Sequence, residues 1–166
     1  MLSKNGVPTI EDLRQVIPPR ERLNQGPVAI AECFQCIPCN PCSTACPVHA
    51  ITVAPDINQT PVIDWDRCIG CRQCVAACPS LAIFVVNMAF KPDLATVTLP
   101  YEFLPVPEKG AYVNGLSRVG AVLGQFEVVE ARQAPGNNLT WLITLAVPKD
   151  MAMEVRNIRV GGAAHA

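Results

Sequence analysis

Eight of the chain's nine cysteines fall into two blocks of identical spacing, and no other feature limits the fold so severely. The first block is Cys36, Cys39, Cys42 and Cys46, closed by Pro47. The second is Cys68, Cys71, Cys74 and Cys78, closed by Pro79. Each reads C-x2-C-x2-C-x3-C-P, and every cysteine of the first recurs 32 residues later in the second. Ala50-Ile51 recurs at the same offset as Ala82-Ile83. Duplication at one fixed period implies one supersecondary unit used twice. Here that unit is a short strand, a loop, a short helix and another short strand. Three cysteines spaced three apart on a tight loop can bring their sulfurs to one centre. The fourth then points towards the other loop and ties the two together.

The spacing decides between chemistries. A disulfide framework needs an oxidising compartment, and the polar opening Met1-Leu2-Ser3-Lys4-Asn5-Gly6 has no apolar stretch to serve as a secretory signal. Zinc sites arrange their cysteines as separated pairs, not as triplets followed by Cys-Pro. Two [4Fe-4S] clusters are the chemistry that the two blocks fit. With Asp64-x-x-Arg67-Cys68-Ile69-Gly70-Cys71 leading into the second loop, residues 31–86 resemble the bacterial two-cluster ferredoxins. That resemblance implies a ligand set crossed between the blocks. One cluster takes Cys36, Cys39, Cys42 and Cys78; the other takes Cys68, Cys71, Cys74 and Cys46.

Cys33 complicates the first loop, because nine cysteines compete for eight places. It is either a buried free thiol, since cysteine packs as a small hydrophobe, or a ligand that displaces Cys36. The regular spacing favours Cys36. Pro38 and Pro41 also stiffen this loop and remove two backbone donors. Donors to cluster sulfurs raise reduction potential, so the two clusters are expected to differ.

The chain has 166 residues, enough for one domain or two small ones, and half of them are apolar. No apolar run is long enough to cross a bilayer; Leu81 to Met88 is the nearest. A net charge of −1 excludes a basic nucleic-acid footprint. It also gives little electrostatic steering, which a freely diffusing electron carrier uses to meet many enzymes.

Along the chain, residues 1–30 read as an N-terminal arm, with a capping-box helix start at Thr9 and Asp12 and a stop at Pro18-Pro19. The arm either docks on another subunit or wraps its own chain. Val28 to Ala31 reads as a strand into the first loop, and residues 31–88 form the dicluster unit. His49 to Val53 and Val62 to Trp65 are further strand candidates. His49 reads as a structural histidine more readily than as a proton carrier, and Trp65 as core packing more readily than as an electron path.

No cysteine follows Pro79, and residues 89–160 carry strand signals at Ala95–Leu99, Ala111–Val113, Val119–Leu123, Gln125–Ala131 and Leu139–Val147. Pro135-Gly136-Asn137-Asn138 is a turn between the last two. A short helix is expected from Pro148 through Val155, a last strand over Arg156–Val160, and a loose tail over 161–166. The fold class expected is α+β, a ferredoxin-like dicluster domain followed by a small all-β barrel of SH3-like or OB-like kind. No nucleophile–base pair, phosphate loop or catalytic carboxylate pair is visible, so no catalytic residue is expected in the chain.

The whole chain resembles the small iron–sulfur subunits of flavin-dependent amine or amino-acid dehydrogenase complexes. The likeness lies in Glu32-Cys33-Phe34-Gln35 with Ile37-Pro38-Cys39-Asn40-Pro41-Cys42, in Val147-Pro148-Lys149 and in Glu154-Val155-Arg156. It implies a partner subunit carrying FAD, with a [2Fe-2S] protein as a further candidate partner. It also implies a cytoplasmic setting, or a membrane surface reached through a partner. A non-catalytic electron-transfer subunit is the expected function. A stand-alone diffusible dicluster ferredoxin is the alternative, and an oxygen-responsive sensor fits the duplicated design least.

Overall fold

The computed structural model describes residues 6–136 and 139–161. The opening Met1 to Asn5, the Asn137-Asn138 part of the turn and residues 162–166 of the tail lie outside them.

The helices are few and short. Helix α1, Ile10–Arg14, starts at the expected capping box: Asp12 N–H donates to Thr9 Oγ1 at 3.2 Å, and Thr9 N–H donates to Asp12 Oδ2 at 2.8 Å. Helix α2, Arg20–Leu23, follows the double proline. Strand β1, Val28–Ala31, leads to α3, Pro41–Thr44. Strands β2, Ile51–Thr52, and β3, Val62–Ile63, pair with each other as a two-stranded ribbon. Helix α4, Gln73–Ala77, leads to β4, Ile83–Asn87, which pairs antiparallel with β1.

The rest of the chain supplies β5, Leu94–Tyr101, β6, Tyr112–Leu116, β7, Val122–Gln133, β8, Trp141–Pro148, and β9, Asn157–Arg159. These strands do not close the expected barrel. They join β1 and β4 in one seven-stranded antiparallel sheet of order β1-β4-β5-β8-β7-β6-β9. The reason is edge occupancy. The edge of β5 that barrel closure requires is taken by β4, with Val85 opposite Thr98 and Val86 opposite Val97. The outermost strands, β1 and β9, are linked by side chains instead. Glu32, just after β1, accepts from Arg118 Nη2 at 2.7 Å and from Arg156 Nε at 2.6 Å. Arg118 lies in the turn after β6, and Arg156 immediately precedes β9.

Two further expectations change. Val119 lies in a turn closed by Ser117 N–H to Ala121 O, so the two strands expected around Gly124 are one strand, β7, with a bulge near Glu130. The helix expected after Pro148 shrinks to a single 3-10 turn, Lys149–Met151. Arg156 Nη1 donates to Ala152 O and Val155 O, so a side chain satisfies carbonyls that a longer helix would have paired. Gly115 is required by close approach: an added Cβ would lie 2.5 Å from the Phe126 ring.

Strands β1 and β4 serve two cores at once. Successive strand side chains point to opposite faces. Ile30, Phe84 and Val86 therefore pack into the large core of the sheet, with Val97, Val128 and Leu145. Their neighbours Ala29, Ala31, Ile83 and Val85 pack into a second core with Cys42, Cys46 and Cys74. Two-sided burial explains why β1 is buried at every position.

Candidate metal centre

The second core is where the cysteines meet. Cys42 rides on α3 and Cys74 on α4, and both are buried, as is Cys46. The turns after each block match residue for residue. His49 N–H donates to Cys46 O and Leu81 N–H to Cys78 O, with His49 at φ 50° and Leu81 at φ 53°. Ala50 N–H reaches Cys46 Sγ at 3.2 Å, and Ala82 N–H reaches Cys78 Sγ at 3.4 Å. The duplication in sequence is thus a duplication in backbone.

Two cavities flank α3 and α4. One is lined by Cys46, Cys68, Cys71 and Cys74, with Ala29 and Ile51 among its walls. The other is lined by Cys39, Cys42 and Cys78, with Cys33 as its fourth cysteine and Pro61 and Ile83 among its walls. Cys36 is exposed and does not line it. Each cavity combines cysteines of both halves, as the crossed spacing requires.

The thiols repel charge as they stand. Burial, followed by the neighbouring Cys68 and Cys71, pushes Cys74 up to about 12. Burial and then Cys78, Cys39 and Cys33 push Cys42 up to about 11. Thiolates crowded into an apolar core are sustained only by a cationic centre that they bind. Among the described residues, no three histidine, cysteine, aspartate or glutamate side chains are grouped closely enough to share one metal ion. Triplets of cysteines completed by a crossed fourth fit a multi-iron cluster better than one tetrahedral zinc, whose cysteines come as separated pairs. N–H donors aimed at Cys46, Cys68 and Cys78 sulfurs complete a donor set that fits [4Fe-4S] groups.

Several supports have no local signal in the sequence. Buried Arg22 on α2 donates to Trp65 O at 2.6 Å and Cys68 O at 2.7 Å, so the arm is fastened to its own second loop. Arg72, at φ 70° beside Cys71, pairs with Glu130 at the β7 bulge. Arg67 donates to Val48 O at 2.9 Å, across the two loops. His49 is exposed, and its part in the site is its backbone turn. Trp65 is half-buried, and its indole N–H has no hydrogen-bond partner among the described residues.

Among the described residues no helix is long and apolar enough to cross a membrane. No curated protein and no solved structure matches the chain. One protein-family model does, that of the 4Fe-4S dicluster domain, over residues 35–82. Residues 35–82 are accordingly a ferredoxin-type 4Fe-4S dicluster segment, set against a sheet that the family model does not cover.

Proposed function

We propose that the chain is a non-catalytic electron-transfer subunit. It would hold two [4Fe-4S] clusters between a flavoprotein dehydrogenase of the amine or amino-acid type and a further acceptor. The observation that carries this reading is the pair of cysteine-lined cavities flanking one buried core. Bound clusters supply one-electron redox chemistry, which divides the two electrons a flavin takes from substrate.

The chain's own residues would do the holding. Cys46, Cys68, Cys71 and Cys74 line one site; Cys39, Cys42 and Cys78 line the other, completed from the Cys33–Cys36 segment. Backbone N–H groups of Ala29, Ala50 and Ala82 stabilise negative charge on the ligand sulfurs. Ile51, Ile83 and Val85 keep water from them. Pro61 stands in the first cavity where Ala29 stands in the second, so the N–H that Ala29 gives Cys68 has no counterpart there and the two potentials should differ.

A net charge of −1 supports a fixed subunit over a shuttle, because it provides little long-range steering. FAD would sit on the partner chain and a [2Fe-2S] protein in the same assembly, in the cytoplasm or at a membrane face reached through that partner.

Anaerobic purification from the native host, with native mass and absorption spectrum, tests the reading. Co-purifying subunits with bound flavin support it. A monomer with only iron–sulfur absorbance would make the chain a diffusible ferredoxin and overturn the subunit reading.

A further inference from the structure

Cysteine for cysteine, the two cavities correspond by the 32-residue offset, with one exception. Cys46 and Ile51 of one cavity map onto Cys78 and Ile83 of the other, and Ala29 maps onto Pro61. Cys71 and Cys74 map back onto Cys39 and Cys42. Cys68 should map onto Cys36, but the cysteine found there is Cys33. We propose that Cys33, not Cys36, is the fourth thiolate of the first cluster, and that Cys36 is the chain's free thiol. The proposal rests on the two-cluster reading above and deepens it.

The backbone explains the substitution. The turn between Cys68 and Cys71 passes through Gly70 at φ 65°, packed so closely that an added Cβ would lie 2.5 Å from Pro27 Cβ. The corresponding residue of the first loop is Pro38, whose ring holds φ near −65°. Proline cannot make that turn, so Cys36 cannot take the place that Cys68 takes. The loops part company again two residues on, at Asn40 with φ −145° against Arg72 with φ 70°.

A second difference removes a sulfur's donor. Ala29 N–H donates to Cys68 Sγ at 3.4 Å, and the residue that matches Ala29 across the repeat is Pro61, which has no N–H.

Cys33 has what Cys36 lacks, a rigid mount. Glu32 N–H donates to Ala82 O at 2.8 Å, which carries the β1–β4 pairing to the residue before Cys33. The Glu32 carboxylate is held by two guanidiniums. Cys33 is half-buried against the cavity, whereas Cys36 is exposed. The dicluster match begins at residue 35, and the regular spacing points to Cys36; local geometry points to Cys33. On ligation the Cys33 thiol releases its proton to solvent as the iron–sulfur bond forms, with no change of oxidation state.

Alkylation mapping of the anaerobic wild-type holoprotein tests this directly. Native protein is treated with iodoacetamide, then unfolded, stripped of iron and mapped by mass spectrometry. Labelling should fall on Cys36, more than about tenfold over Cys33, because free exposed thiols react and iron-bound ones do not. In parallel, Cys36→Ser should retain about eight irons per chain while Cys33→Ser retains about four, or three more if one corner of the first cubane stays empty. Labelling of Cys33 with Cys36 protected, in protein that holds about eight irons, overturns this proposal and leaves the two-cluster reading intact. Wild-type protein that binds no iron, with every cysteine labelled, overturns both.

Discussion

Substituting Glu32 by glutamine tests how the sheet ends are held beside the first cluster loop. The carboxylate accepts three charge-assisted bonds: from Arg118 Nε at 2.8 Å, Arg118 Nη2 at 2.7 Å and Arg156 Nε at 2.6 Å. Its side chain is 8% exposed, against 11% for Arg118 and 4% for Arg156. Glutamine keeps the shape and removes the charge, which leaves two guanidiniums close together in a poorly solvated place. Arg118 keeps a bond to Met153 O at 2.6 Å and a long contact to exposed Glu154. Arg156 keeps backbone carbonyls and its stack on the Phe84 ring at 4.8 Å. Neither retains a buried counter-charge.

Breaking a buried pair by removing one partner costs about 3–5 kcal/mol. At about 2–4 °C per kcal/mol for a chain of this size, the thermal midpoint should fall by roughly 6–20 °C. The assay is anaerobic circular dichroism of the holoprotein at one fixed scan rate, because loss of clusters makes unfolding irreversible. A combined Glu32→Leu, Arg118→Met and Arg156→Met variant should recover most of the loss, since well-packed apolar residues replace a buried ion network at little cost. A Glu32→Gln midpoint within about 2 °C of wild type refutes the clamp, because that is below 1 kcal/mol at this size.

Three other outcomes follow from the same contacts. Burial acts to raise the Glu32 carboxyl, but the Arg118 hydrogen bond and the Arg156 charge outweigh it and hold it below its ordinary value. Its stabilisation is therefore full above about pH 4.3 and is lost as pH falls through the lowered folded value. The gap between wild type and Glu32→Gln should narrow in acid, and a constant gap would remove the assignment. Gly70→Ala forces φ 65° on alanine and sets its Cβ 2.8 Å from Pro27 O, so it should cost at least about 1 kcal/mol and lower iron in the second site first, read by iron analysis. Removing iron with a chelator should leave β5, β7 and β8 amides protected in hydrogen exchange, while residues 33–49 and 65–81 lose protection; uniform loss would contradict two separable cores.

The cluster chemistry was legible in the sequence because ligand spacing is local. So were α1, from Thr9 and Asp12, and the existence of most strands. The barrel was misread because strand pairing is not local: Thr98 pairs with Thr144, 46 residues away, and nothing near β5 announces that β4 takes its other edge. Glu32 meets partners 86 and 124 residues distant, so no short pattern reveals it. Val119–Leu123 looked like a strand because its apolar residues outweighed Ser117 and Gly120, whose turn decides the geometry. Cys33 was visible as a surplus cysteine. The signal that bears on its role was Pro38 standing opposite Gly70 across the repeat, a backbone restriction that ligand spacing hides.

The shared strands β1 and β4 make the last test possible, because neighbouring residues report on different cores. Ile83 is 1% exposed and lines the first cysteine cavity, while Phe84 is 6% exposed and packs into the sheet core beneath Arg156. Truncation to alanine costs about 2–5 kcal/mol for isoleucine and about 3–5 for phenylalanine, so both variants lose comparable stability. Their effects on the iron site should differ. Ile83→Ala opens the cavity wall beside Cys78 and admits water and chelator. Phe84→Ala leaves that wall in place. Iron release to a chelator, compared at temperatures equally far below each midpoint, should therefore be faster for Ile83→Ala. Faster release from Phe84→Ala would mean that the wall follows the sheet core, and that the alternation along β4 does not separate the two.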